Sequence, residues 1–545
     1  MPLIPPVDSL SLPEQVAQMV VVRASGFLFD PQIQYPAWEP PAATLQEWVT
    51  EWGVGGVILL GGSAAELALR SQQLQDWANV PLLIAADVEE GVGQRFAGAT
   101  WFPPPMALGA IAQSDPERAC QLATNMGRAI AQEALAIGLN WVLAPVVDVN
   151  NNPQNPVINV RAFGDQPEQV ATLATAFLRG MQEHPILACA KHFPGHGDTA
   201  TDSHLSLPLI PHDRDRLQRL EWHPFRALIA AEVDAVMSAH LLIPSLDRLY
   251  PATLSPRILD GELRQKMGFD GLIVTDALVM GAIAQGYGVN EAPVLAVEAG
   301  ADILLMPLDP VGAIKAVVEA VETGRIGRDR IRASVERIWR AKHKVITTSL
   351  SGDSSHTWEV LPTPRIEAKS LTTQLAQPAA LETNRAILQA SMQVYTTPSF
   401  ELPEGTQNLL VIDDALSCDF LTHQSPAIAL PREWGCTLQI CDATSSMGAI
   451  AESQKPLPPT LLQLFIRGNP FRGSAGLNQM AQYWVDQLLR DNQLQAVLIY
   501  GSPYIFQELQ PKLPRHIPYV FTYGQMDVAQ AIALQSLSRQ PSTVF

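Results

Sequence analysis

Eight short apolar runs, each followed by a turn and then an amphipathic stretch, organise the chain up to residue 346. The runs are Gln18–Val22, Val54–Leu60, Pro81–Ala86, Trp141–Val147, Ile186–Ala190, Ala235–Ala239, Gly271–Thr275 and Ala301–Met306. They are apolar on both faces, as parallel strands covered on each side must be. Between them, stretches such as 116–138, 166–183 and 213–232 carry apolar residues at helical spacing. Eight strands alternating with helices over about 300 residues predict a (β/α)8 barrel of the TIM type. The alternative is an open doubly wound sheet, which requires a Gly-rich phosphate loop after an early strand. No G-x-G-x-x-G follows any run, and the nearest approach, Gly91-Val92-Gly93, lacks the third glycine.

The periodicity stops at Thr347. Ser349-Leu-Ser-Gly-Asp-Ser-Ser-His356 and Leu361-Pro-Thr-Pro364 read as a linker. The predicted organisation is a catalytic barrel over 1–346, a linker over 347–366, and a smaller α/β domain over 367–545. In that domain Asn408–Asp413 and Ala496–Gly501 read as buried strands and 477–490 as a helix. It holds no dense set of catalytic residue types, so a structural or interface role is expected of it.

Composition narrows the partners. The 36 Lys plus Arg are outnumbered by 54 Asp plus Glu, for a net charge of −18. No basic surplus exists to neutralise nucleic-acid phosphates or to dock on an anionic membrane. A neutral or weakly charged small substrate fits better. Five cysteines without metal-ligand spacing read as reduced thiols. With neither a basic, apolar leader after Met1 nor a run long enough to span a membrane, the expected location is the cytoplasm.

In a barrel the reactive groups sit just past the strands, on the carboxyl-end loops. Reading there gives Asp87-Val-Glu89-Glu90 with Gln94-Arg95 after strand three, and Asp148-Val-Asn150 with Arg161 after strand four. Strand five is followed by Lys191-His192-Phe-Pro-Gly-His196-Gly-Asp198-Thr199 and then Asp202-Ser-His204. His240 follows strand six and Asp276 strand seven. The strand-five loop is the densest: three of the 11 histidines, two aspartates and a lysine fall within residues 191–204. A metal site built on His192, His196 and His204 is one reading of it. Against that reading, the His-x3-His lies on a Pro-Gly loop without helical i,i+4 geometry, and Lys191 would compete with a cation. Asp276 and Asp87 each have the reading of a helix N-cap, and Glu89-Glu90 that of a solvated acidic turn.

The run Lys191-His-Phe-Pro-Gly-His-Gly-Asp-Thr199 with Asp202-Ser-His204 resembles the signature of family 3 glycoside hydrolases, in their bacterial β-N-acetylglucosaminidase branch. Asn155-Pro-Val-Ile-Asn-Val-Arg161-Ala-Phe-Gly164, Val236-Met-Ser-Ala-His240, Pro251-Ala-Thr-Leu-Ser-Pro256 and Gly268-Phe-Asp-Gly-Leu-Ile-Val-Thr-Asp276 extend the resemblance over residues 10–345. It implies a retaining exo-β-N-acetylglucosaminidase without metal or cofactor, acting on a GlcNAc-containing carbohydrate, and a part in cell-wall muropeptide recycling. It implies Asp276 as nucleophile, His204 as general acid/base held by Asp202, and Asp87, Arg95, Arg161, Lys191 and His192 as the sugar's binding groups. Where the family's strand-three loop reads Asp-Gln-Glu-Gly-Gly-Arg-Val-Gln-Arg, this chain has Val92 in place of the middle arginine. Ala277 likewise stands where a second Asp is common.

Three rivals remain at this point. A β-glucosidase of the same family usually lacks the Asp-x-His of this loop. A GlcNAc phosphorylase would use the same site, since a neutral histidine repels phosphate less than a carboxylate does. A non-catalytic carbohydrate-binding protein would not need the full set of reactive residues.

Overall fold

The computed structural model describes residues 4–199, 207–346, 368–396, 400–445, 456–467 and 475–537. Each of the eight predicted runs overlaps a strand: β1 (Val20–Ser25), β2 (Gly56–Leu60), β3 (Leu83–Ala86), β4 (Trp141–Val142), β5 (Leu187–Phe193), β6 (Ala235–Ser238), β7 (Leu272–Val274) and β8 (Leu304–Leu305). Neighbours pair in parallel in the order β7-β6-β5-β4-β3-β2-β1-β8. A parallel bridge from Val274 to Ile303 joins the two ends of that order and rings the barrel. Val20, Val21, Val57, Leu83, Ile84, Leu187, Val236, Ile273 and Leu304 are all fully buried. Branched side chains fill the interior while helices cover the outside, and each such side chain contributes about 1.5–3 kcal/mol of hydrophobic free energy.

Several strand limits differ from the sequence reading, β1 for one running on to Ser25, past the apolar run that ends at Val22. β4 stops at Val142, because Pro145 has no N–H to give to a ladder. β5 runs on to Phe193, so Lys191 and His192 belong to the strand and not to the loop after it. Val147 N donates to Lys191 O at 2.8 Å and Ala239 N to Phe193 O at 2.7 Å, extending the pairing on both sides.

The helices start where local chemistry supplies caps. Ser63 and Glu66 form a capping box ahead of Ala64–Trp77, and Asp115 caps Pro116–Ala136 with proline in the first turn. At the amino-terminal end of the barrel, Asp302 sits fully buried just ahead of β8. It accepts from Arg264 Nη2 at 2.6 Å, Ser334 Oγ at 2.7 Å and Ile273 N at 3.0 Å, with Arg337 at 3.2 Å and Arg330 at 3.3 Å.

A second sheet lies beyond residue 390. It contains β9 (Gln393–Tyr395), β10 (Gln407–Ile412), β11 (Thr437–Cys441), β12 (Thr460–Ile466), β13 (Leu494–Gly501) and β14 (Tyr519–Thr522) in the order β11-β10-β12-β13-β14-β9. Five strands are parallel and β9 is antiparallel at the edge. Alternate residues serve opposite faces. Leu410, Leu461, Leu498 and Val520 pack with helices Pro426–Glu433 and Asp527–Leu537, whereas Leu409, Leu462, Val497 and Phe521 pack with Gln479–Arg490 and Pro503–Leu509. The sequence reading found two of these strands and the 477–490 helix. Residues 347–366, assigned there to a linker, lie outside the described residues. Among the described residues no helix is long and apolar enough to cross a membrane.

Candidate active site

The carboxyl ends of β3, β4 and β5 bring four charged side chains into one network. Lys191 Nζ bonds Asp87 Oδ1 at 2.7 Å and Glu89 Oε1 at 2.5 Å. Arg161 grips Glu89 with both arms of its fork, Nε and Nη2 each at 2.8 Å. Burial raises the carboxyl pKa of Glu89, but Arg161 and Lys191 outweigh it and hold the group well below the usual carboxylate range. Burial likewise opposes the charge on Lys191, and Asp87 and Glu89 overcome it and raise its pKa. Glu89 and Lys191 are therefore both ionised at neutral pH. The alternative of a solvated acidic turn at Glu89-Glu90 does not hold, since both carboxylates are buried and paired. Arg95 stands apart: it is exposed, and its Nε donates to the backbone carbonyl of Asp87 at 3.1 Å.

The strand-five segment is tied to the β4 loop through Asp148, which is fully buried. Its carboxylate takes His192 Nδ1 at 2.8 Å, His196 N at 2.7 Å and His192 N at 3.2 Å. Asn155 Nδ2 adds bonds to the carbonyls of His196 at 2.8 Å and Gly197 at 2.9 Å. The loops approach so closely that a Cβ on Gly197 would lie 1.7 Å from Val149 O, which is why glycine stands there. The β5–β6 ladder shifts register between Lys191 and Phe193. Such a bulge re-aims side chains, and here it accompanies two consecutive residues that both bond carboxylates of the neighbouring loops. Burial holds the His196 imidazole down to about 4, against the pull of Asp148 and, more weakly, Asp276, so it is neutral at pH 7. Among the described residues no group of three or more His, Cys, Asp or Glu side chains is placed to hold a metal ion.

Asp276 follows β7 on the same end of the barrel, half-buried, with Oδ1 accepting from Ala277 N at 2.7 Å. The N-cap reading fails for it, because the next helix begins at Gly281 with Met280 in the cap position. Buried His240 bridges from β6, with Nδ1 2.9 Å from Thr253 Oγ1 and Nε2 3.1 Å from Ala277 O. It thereby fixes the backbone next to Asp276. Asp202 and His204 lie outside the described residues.

The second sheet also reaches this face, which the sequence reading did not foresee. Arg467, directly after β12, grips Glu90 at 2.6 and 3.0 Å, and Tyr504, shortly after β13, accepts from Asn150 Nδ2 at 2.8 Å. The available signal was the one used in the barrel, a charged residue closing an apolar run, here Leu461-Leu-Gln-Leu-Phe-Ile466-Arg467.

Residues 11–341 match the N-terminal domain of glycosyl hydrolase family 3, and residues 400–539 match the bacterial C-terminal domain of that family. The chain belongs to glycosyl hydrolase family 3. Among its relatives in the family, β-hexosaminidase A of Pseudoalteromonas piscicida is 34% identical over 342 residues, covering 56% of each chain. The β-N-acetylglucosaminidase/β-glucosidase of Cellulomonas fimi is 33% identical over 304 residues, 53% of this chain and 52% of that one. The chain thus spans about half the length of these two curated relatives. A family 3 β-N-acetylglucosaminidase from Paenibacillus sp. str. FPU-7 superposes with a TM-score of 0.76 at 31% identity, over 97% of this chain and 96% of that one.

Proposed function

We propose that this family 3 chain is a retaining exo-β-N-acetylglucosaminidase that releases terminal β-linked GlcNAc. The observation that carries the reading is the convergence of Asp276, Lys191, His192, Arg161 and Asp87 on the carboxyl end of one barrel, in a chain whose relatives bear hexosaminidase names. Asp276 acts as the nucleophile and forms the glycosyl-enzyme. His204, held by Asp202, protonates the leaving oxygen and then activates the water that releases the sugar. An imidazole suits both steps when a carboxylate orients its ring and stabilises the imidazolium. Lys191, His192, Arg161, Asp87 and Arg95 hold the sugar hydroxyls by charge-assisted hydrogen bonds. Trimming GlcNAc from cell-wall muropeptides in the cytoplasm is the role we assign to this activity.

A second reading, turnover of β-glucosides as well, is favoured by the double name of the Cellulomonas fimi relative. Rates on aryl β-GlcNAc and aryl β-glucoside, each with and without phosphate, test the proposal. A strong GlcNAc preference and free sugar as product are expected. Glucoside preference, or glycosyl phosphate as the main product, overturns the substrate or the hydrolytic assignment respectively.

A further inference from the structure

Adjacent residues of the β3 loop point their carboxylates in opposite directions. Glu89 turns inward to Arg161 and Lys191, whereas Glu90, fully buried, turns outward to Arg467 of the second sheet. The partners of the Glu90 side chain are Arg467, at 2.6 and 3.0 Å, and Trp101 Nε1 at 3.1 Å. The second domain also holds that tryptophan: Asn384 Nδ2 donates to Trp101 O at 2.7 Å, and the Phe420 ring packs edge-on at 6.4 Å. Within the loop, Glu90 N donates to Gln94 Oε1 at 2.9 Å and Glu90 O accepts from Phe102 N at 2.6 Å, so the backbone at this point has little freedom.

We infer that Arg467 is a positioning residue for the sugar site and that the second domain is half of the support that site requires. Consecutive Cα atoms are about 3.8 Å apart, so the loop cannot release Glu90 without moving Glu89. A displaced Glu89 would in turn free Arg161 and Lys191 from the geometry in which they meet sugar hydroxyls. The pair works as a two-sided clamp, with one carboxylate fastened to the barrel's cations and its neighbour to a guanidinium delivered by β12. Tyr504 on Asn150 repeats the arrangement one loop further on, from the carboxyl end of the adjacent strand β13. A planar, bidentate fork fits this task better than an ammonium, which offers a point charge without fixed orientation. The inference rests on the proposed glycosidase reading only for its assay.

The test is a double-mutant cycle in the full chain, using whichever aryl glycoside the wild type hydrolyses and an Asp276→Ala variant as blank. Arg467→Met, Glu90→Gln and the double variant should each raise KM about tenfold or more while kcat changes less than about threefold. The double should cost no more than either single, because the two residues act as one device. Arg467→Lys should recover part of the loss. The double should also melt above Arg467→Met, since it leaves no unpaired buried carboxylate. A purely structural role would lower melting temperature and leave KM of the folded enzyme untouched, and that outcome overturns the inference. So do additive effects in the cycle. If Arg467→Met does not fold, Glu90→Gln and Arg467→Lys decide alone: wild-type KM in both refutes the clamp. A wild type inactive on every aryl glycoside counts against the glycosidase reading instead. The same cycle, read by the affinity for GlcNAc itself, then decides the clamp.

Discussion

The barrel carries a buried carboxylate cluster at each end, and the two ends are built for different work. At the amino-terminal end Asp302 is fully buried, with a serine, a backbone N–H and three guanidinium groups on its two oxygens. At the carboxyl end cations and carboxylates are matched two to two. Lys191 serves two carboxylates, Arg161 shares one of them, and Asp87 keeps its side chain 36% exposed. A cluster in which cations crowd one carboxylate has little left to offer a ligand. Asp87, sharing its cation and partly exposed, can re-aim its hydrogen bonds when a ligand arrives. In a barrel of this kind the first end reads as stability and the second as catalysis.

Paired variants test that contrast at its strongest point. Lys191→Met should reduce kcat/KM about a hundredfold or more, because it removes a charge-assisted contact and loosens both Asp87 and Glu89. Asp302→Asn should lower unfolding free energy by about 3–5 kcal/mol, as breaking a buried pair does, and leave kcat/KM of the folded enzyme near wild type. Kinetics beside urea denaturation of both variants checks the division. If Asp302→Asn loses turnover in proportion to Lys191→Met, the two ends are not functionally distinct.

A smaller effect concerns pH. The folded pKa of His196, about 4, lies below the ordinary value near 6.5 because burial disfavours the imidazolium. Between those values the unfolded chain binds the proton and the folded chain does not, so stability falls as pH drops from 6.5 to 4. The loss approaches about 3 kcal/mol across that window. Asp148 and Glu89, whose folded pKa values are lowered, lose their contribution only at more acid pH. Denaturation at pH 7 and pH 4.5 should therefore show a shallower pH slope for His196→Gln than for wild type. Equal slopes would mean that His196 is not buried neutral.

Much of this was legible in the sequence because strand, turn and reactive residue occur in that order along the chain. Apolar runs located all eight barrel strands, and the residue after each run located Asp87, Asp148, His240 and Asp276. What stayed hidden depends on contacts distant in sequence. Nothing local distinguishes Glu89-Glu90 from a solvated turn; Arg161, Lys191 and Arg467 do so, 72, 102 and 377 positions along the chain. The strand-five boundary was missed for a related reason, since pairing with Val147 and Ala239 carries β5 through polar residues that end the apolar run. In the second domain, β9 is a three-residue edge strand with every residue exposed, and β11 is largely exposed too. Neither supplies the two-faced apolar pattern that marked the barrel strands.

The most direct measurement is the site of covalent labelling by a slow 5-fluoro analogue of β-GlcNAc carrying a good leaving group. Retaining chemistry through Asp276 should add one glycosyl unit to the intact protein and place it, after peptide mapping, on the peptide bearing Asp276. The adduct should be absent in Asp276→Ala. Labelling at Asp87 or Asp148 would contradict the assignment, and so would turnover that inverts the anomeric centre with no adduct formed.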